Sequence, residues 1–120
     1  MQYIIVKGTT NMITSQMLKG VLEGCILNII GKQKVYGYEI SQKLSAYGFG
    51  NISEGTIYPI LLRLEKSDFV LVSYMESSSG PKRKYFELSD AGKTNLREFK
   101  SNWKELSTAV GILMGGEEDE

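Results

Sequence analysis

From Thr14 to Ile30 the apolar residues Met17, Leu18, Val21, Leu22, Cys25, Ile26, Ile29 and Ile30 fall in pairs every four positions. That spacing predicts an amphipathic helix with one broad buried face. Ser15 or Thr14 is placed to cap it, and Gly31 with the polar GKQK segment is expected to close it. A second helix is predicted over about Gly37–Ala46, with Ile40 and Leu44 inward and Gly48 as its stop. A third should begin at Ser53, whose hydroxyl suits an N-cap, with Glu54 at the positive end of the helix dipole. It runs to about Ser67 with Ile57, Ile60, Leu61 and Leu64 inward, and Pro59 is tolerated because it lies near the first turn.

Beyond these, residues 69–74 and 84–88 are β-prone runs on either side of Glu76-Ser77-Ser78-Ser79-Gly80-Pro81-Lys82, which reads as a β-hairpin with a long polar tip. Ser89 and Asp90 start a last helix that runs to about Met114. Its residues Leu96, Phe99, Trp103, Leu106, Val110 and Leu113 are spaced 3, 4, 3, 4, 3, a heptad seam. The seam is longer than one hairpin and two short helices can cover, so a second copy of the chain is expected to cover it as a homodimer. The fold class is therefore mostly α with a small β-hairpin (α+β): a winged helix-turn-helix over 12–90, a dimerisation helix over 91–114 and an acidic tail over 115–120. Residues 1–11 read as an N-terminal extension, a short strand or loose arm before a second methionine, Met12.

The 120 residues fit one domain. Formal net charge is zero, yet four of the fourteen acids sit in the ending GGEEDE. Residues 1–116 thus hold fourteen cations against ten acids, an excess that doubles in a dimer and attracts phosphates. The lone Cys25 and the absence of histidine exclude an internal disulfide and a conventional His-containing metal site. No nucleophile, acid–base pair or cofactor motif is assembled, so neither an enzyme nor a cofactor is expected. Apolar runs fall far short of a membrane span and the start lacks a signal-peptide pattern, which points to the cytoplasm.

In a winged helix the third helix enters the major groove by its N-terminal turn. Here that turn carries Ser53, Thr56 and Tyr58, all able to hydrogen-bond, and Gly55, which permits close approach. The alternative is that Ser53 only caps and Tyr58 packs on the hairpin. Gly80-Pro81-Lys82-Arg83-Lys84 places three consecutive cations on the hairpin tip, where they suit phosphates and the minor groove; otherwise they are a solvated face. Winged helices also serve as protein–protein modules without DNA, a reading that does not need Lys82, Arg83 and Lys84 at the tip.

The segments YGYEI, EGTIYPILLRLEKSDF and SSSGPKRKYFELSDAGK, with the Trp103-bearing last helix, resemble the PadR family of transcriptional regulators over residues 14–114. The resemblance implies a homodimeric repressor released from its operator by a small molecule; since a dimer places two third helices about one helical turn apart, the double-stranded operator DNA is expected to be pseudo-palindromic. Carried over by position, it implies DNA contacts from Ser53, Thr56, Tyr58 and Pro59 and a basic wing at Lys82, Arg83 and Lys84. It also implies that Tyr36 and Tyr38 open the second helix, with Tyr38 on a phosphate or serving as a hydrophobic anchor. In the multidrug-responsive branch a tryptophan at the position of Trp103 flanks an apolar cavity at the dimer interface and stacks on planar drugs. Phe99 would share that wall; the alternative is that Trp103 is a core filler.

Overall fold

The computed structural model describes residues 3–5 and 12–115. Strands β1 (Tyr3–Ile5) and β2 (Met12–Thr14) form an antiparallel pair, so part of the N-terminal extension is a strand. The helix expected from Thr14 to Ile30 is broken in two, α1 (Ser15–Leu18) and α2 (Leu22–Lys32). Thr14 Oγ1 caps α1 by accepting from Met17 N at 3.1 Å. The break at Lys19–Val21 leaves Leu18 and Leu22 buried but turns Met17 outward, 75% exposed, against expectation. Gly31 does not close α2 but lies inside it. A Cβ there would stand 3.0 Å from Leu88 Cδ1 and 3.1 Å from Leu96 Cδ2, so the glycine admits those side chains against the helix.

Strand β3 (Val35–Tyr36) leads directly into α3 (Gly37–Ala46). That helix stops at Gly48, which takes φ +101°, a conformation open to glycine and costly for other residues. Helix α4 (Glu54–Lys66) follows, then β4 (Val70–Ser77), β5 (Gly80–Leu88) and the 24-residue α5 (Asp90–Leu113). The three-stranded antiparallel sheet has the order β3-β5-β4, with Val35 opposite Phe86 and Tyr36 opposite Tyr85.

One core holds these elements together. Ile26, Val35, Ile40, Ile57 and Phe86 are at most 1% exposed, and Leu44, Leu61 and Leu64 pack with them. Apolar residues from α2, α3, α4 and the sheet thus meet in a single cluster, each buried Leu or Ile stabilising it by roughly 1.5–3 kcal/mol. The start of α5 is fastened to the end of α4. Ser89 Oγ accepts from Gly92 N at 3.0 Å and donates to the Asp68 carbonyl at 2.6 Å, while Ser89 N donates to the Phe69 carbonyl at 3.1 Å. Gly92 presses its backbone onto that same Phe69 carbonyl, where any Cβ would overlap it. Among the described residues no helix is long and apolar enough to cross a membrane.

Candidate nucleic-acid interface

Helix α4 presents its first turn to solvent, with Ser53, Glu54, Gly55, Thr56, Tyr58 and Pro59 all exposed. Ser53 occupies the cap position, but its side chain makes no capping bond. Its hydroxyl instead lies 3.2 Å from Thr56 Oγ1, and the bonds that begin the helix run from Thr56 N and Ile57 N to the Ser53 carbonyl at 3.0 and 3.1 Å. The earliest N–H groups of α4 are therefore left to whatever approaches from outside. A Cβ on Gly55 would meet only Ser53 Oγ, at 3.6 Å, so packing within the chain does not require glycine there.

Tyr58 is 42% exposed. A Cβ on Gly37 would stand 2.5 Å from its hydroxyl and 2.8 Å from Cζ, so the ring leans on the bare backbone at the start of α3. This explains the glycine between Tyr36 and Tyr38, and it sets Tyr58 beside the element that carries Tyr38, itself 51% exposed. Glu39 Oε1 accepts from Tyr36 N at 3.1 Å and holds the start of α3. Pro59 is the sixth residue of α4, in its second turn and not its first. Lacking an N–H, it cannot close the usual bond to the Gly55 carbonyl.

The basic run departs most from the sequence expectation. The hairpin strands extend to Ser77 and from Gly80, so the connection is Ser78-Ser79 alone, closed by Ser77 Oγ donating to the Gly80 and Pro81 carbonyls at 3.1 and 2.9 Å. Lys82, Arg83 and Lys84 are not a loop tip; they lie within β5 and alternate between the faces of the sheet. Arg83 sits 4.6 Å from the centre of the Tyr36 ring, which in turn meets Tyr85 edge-on at 5.3 Å. Lys84 turns the other way and bonds Glu65 Oε1 of α4 at 3.0 Å. Lys82 reaches Glu76 only at 3.9 Å, with both side chains largely in solvent.

On α5 the heptad positions divide. Leu96 is buried in the core of its own protomer, against Gly31, and is not available to a partner. Phe99 is half-buried over Gly24 of α2, whose missing side chain leaves room for the ring. Trp103, Leu106, Val110 and Leu113 are 48, 54, 43 and 84% exposed. Between α2, α3 and α5 opens a cleft of about 560 Å³ lined by Cys25, Ile29, Tyr47, Phe49, Phe99 and Trp103, among others. Burial pushes the Cys25 thiol above its ordinary range. Trp103 is thus not a core filler within the protomer. The cleft wall just past the end of α3, with Tyr47 and Phe49, carries no signal in the sequence that joins it to Phe99.

A family model described as the transcriptional regulator PadR-like family matches residues 26–98, from α2 through the wing into α5. The chain belongs to the PadR-like family of transcriptional regulators. This PadR-like chain is 54% identical to a PadR-like transcriptional regulator from Bacillus cereus of known crystal structure, covering 86% of this chain and all of that one with a TM-score of 0.77. A transcriptional regulator of Mycobacterium tuberculosis is 35% identical over 92 residues, 77% of this chain and 81% of that protein. The crystal structure of Bacillus subtilis PadR in complex with operator DNA superposes with a TM-score of 0.60 at 26% identity, over 66% of this PadR-like chain and 46% of that one.

Proposed function

We propose that this PadR-like regulator is a dimeric repressor that binds duplex operator DNA and releases it when a small planar aromatic molecule enters the cleft beside Trp103. The observation that carries the DNA reading is the exposed, uncapped first turn of α4, with Ser53, Gly55, Thr56 and Tyr58 on it and Arg83 and Lys82 on the wing beside it. It is supported by the likeness to a PadR solved with its operator. Base edges are read by the Thr56 and Tyr58 side chains, with Tyr38 and the α4 backbone on phosphate. Pro59 stiffens the turn.

Dimerisation rests on Trp103, Leu106, Val110 and Leu113, a stripe of exposed apolar side chains at heptad spacing on one helix. Two α4 helices in such a dimer meet successive major-groove faces, roughly 34–36 Å apart, which a pseudo-palindromic site matches. The effector reading rests on the apolar and aromatic walls of the cleft and on Phe99 and Trp103 within them. A ligand there relieves repression only by preferring a spacing of the two α4 helices that DNA does not accept. The test is fluorescence anisotropy with the DNA upstream of the protein's own coding sequence. Tight binding that a planar aromatic compound reverses is expected; binding no stronger than to unrelated duplex overturns the operator assignment.

A further inference from the structure

A second groove, of about 440 Å³, runs between the α1–α2 break and α4. Among its lining residues are Ser15, Lys19, Asn51, Ser53, Thr56 and Arg63. It therefore shares Ser53 and Thr56 with the first turn of α4, yet it lies away from the wing. The helical spacing decides this. Ser53, Thr56 and Arg63 follow one another along one side of α4, while Tyr58 and Glu65 lie on the other, against Gly37 and Lys84. The wing and the groove thus flank α4 on opposite sides.

The charges of the groove are unequal. Arg63 is held by Glu23, Nη2 to Oε1 at 3.1 Å, and is largely neutralised. Lys19, at the break between the helices, is exposed and has no carboxylate within 4.0 Å among the described residues. Asn51, also exposed, lines the same groove and supplies an amide. Among the described residues no carboxylate lines the groove, and Glu54, the acid nearest the first turn, lies on the Tyr58 side of α4.

A helix lying in a major groove about 12 Å wide has a phosphate backbone on either side of it. We propose that the groove beside Lys19 seats the backbone opposite the one met by the wing, with Lys19 on a phosphate and Asn51 hydrogen-bonding the same strand. This rests on the DNA-binding reading above and adds a second electrostatic anchor, which fixes the roll of α4 about its own axis.

Phosphate contacts are independent of sequence, so the test needs no operator. Affinity for a random-sequence duplex of about three helical turns is measured against salt for the full chain and for Lys19→Ala, Lys19→Arg, Asn51→Ala and, as a control remote on α5, Lys104→Ala. Lys19→Ala should lower the slope of log K against log salt by about 0.9 per site, as one released counterion requires. Lys19→Arg should restore it. Asn51→Ala should weaken binding at every salt concentration with an unchanged slope, and Lys104→Ala should do neither. Circular dichroism identifies any variant that misfolds, and Lys19→Gln, which also removes the charge, then takes the place of Lys19→Ala with the same slope change expected. A wild-type slope in folded Lys19→Ala overturns the second anchor and leaves the DNA reading standing; failure of the unaltered protein to bind any duplex at low salt overturns both.

Discussion

Lys84 and Glu65 form a strut between the wing and the helix beside it: the Lys84 ammonium donates to Glu65 Oε1 at 3.0 Å, with both side chains only partly exposed. A cation already paired contributes less to counterion release than one left in solvent. Within the run Lys82-Arg83-Lys84, Lys84 thereby ties the wing to α4, and Lys82 and Arg83 are the two that the proposed DNA contact assigns to phosphate. Lys84→Ala is expected to cost about 0.5 kcal/mol of stability and to weaken DNA binding at all salt concentrations with little change in slope. Lys82→Ala combined with Arg83→Ala should lower the slope by about 0.9 for each phosphate no longer neutralised. Salt titrations of the two variants separate the roles; equal slope changes would remove the strut assignment.

The ring of Tyr58 rests on Gly37, and this provides a way to move it without deleting it. A Cβ at residue 37 would stand 2.5 Å from the Tyr58 hydroxyl, but that hydroxyl is the far end of a partly exposed side chain and can swing aside. Gly37→Ala should therefore leave stability within about 1 kcal/mol of the parent, since the gain from replacing glycine in a helix offsets part of the crowding. Its affinity for the operator should fall about tenfold if Tyr58 reads a base. Pairing it with Tyr58→Ala in a double-mutant cycle checks the route: the two losses should not add.

For assembly, the exposed stripe on α5 gives a sharp expectation. Leu106 and Val110 are 54 and 43% exposed in the protomer, so charge at both sites does not disturb its core. Leu106→Asp with Val110→Asp should sediment as a folded monomer and bind operator poorly, because the two half-sites are no longer bound as a unit. A species of unchanged dimer mass would remove α5 from the interface.

Trp103 is the only tryptophan and lines the larger cleft, so its fluorescence reports directly on occupancy. Planar aromatic compounds are expected to quench it in step with release of operator DNA, and Trp103→Ala should diminish the release by more than it weakens DNA binding. Quenching without release would make the cleft a binding site with no regulatory role.

Cys25 lines the same cleft, and burial holds its thiol protonated above the ordinary range. A thiol whose pKa is raised by folding contributes its full stability below the unfolded thiol's pKa and loses it as pH rises through the folded value. Alkylation in mildly alkaline solution should accordingly be slower in the folded chain than in urea, and slower again with a planar ligand bound. Cys25→Ser should remove part of the loss of stability at high pH.

Much of the fold was legible because local signals and burial agree. Residues 37–46 and 54–66 carry apolar residues at helical spacing, and Gly48 stops the first of these helices, so both were readable from the residues alone. The α1–α2 break was not, because the apolar pairs continue across Lys19–Val21 as though the helix were whole. Gly31 misled in the opposite direction: read as a stop, it is instead a place where Leu88 and Leu96 approach the helix. Strand β3 is two residues long and shows no periodicity; only its pairing with β5 defines it. At the site, the residue types of the α4 turn and the wing were visible, but their partners were not. That Lys84 belongs to Glu65, Tyr58 to Gly37 and Leu96 to its own core depends on contacts between segments distant in sequence.

The fastening of α5 to α4 makes the long helix a lever. Its first turn is clamped by Ser89 to the Asp68 and Phe69 carbonyls, with Gly92 pressed against the second of them, directly after α4 ends. From that clamp α5 extends 24 residues, about 36 Å at 1.5 Å per residue. A tilt of roughly 10° about the clamp carries the far end through about 6 Å, and a displacement of about 2 Å at Phe99, about 14 Å from the pivot, is enough to produce it. With the far end fixed instead, the clamped winged-helix body becomes the moving part, and the angle at which α4 would meet DNA in the proposed complex becomes a property of how α5 is held.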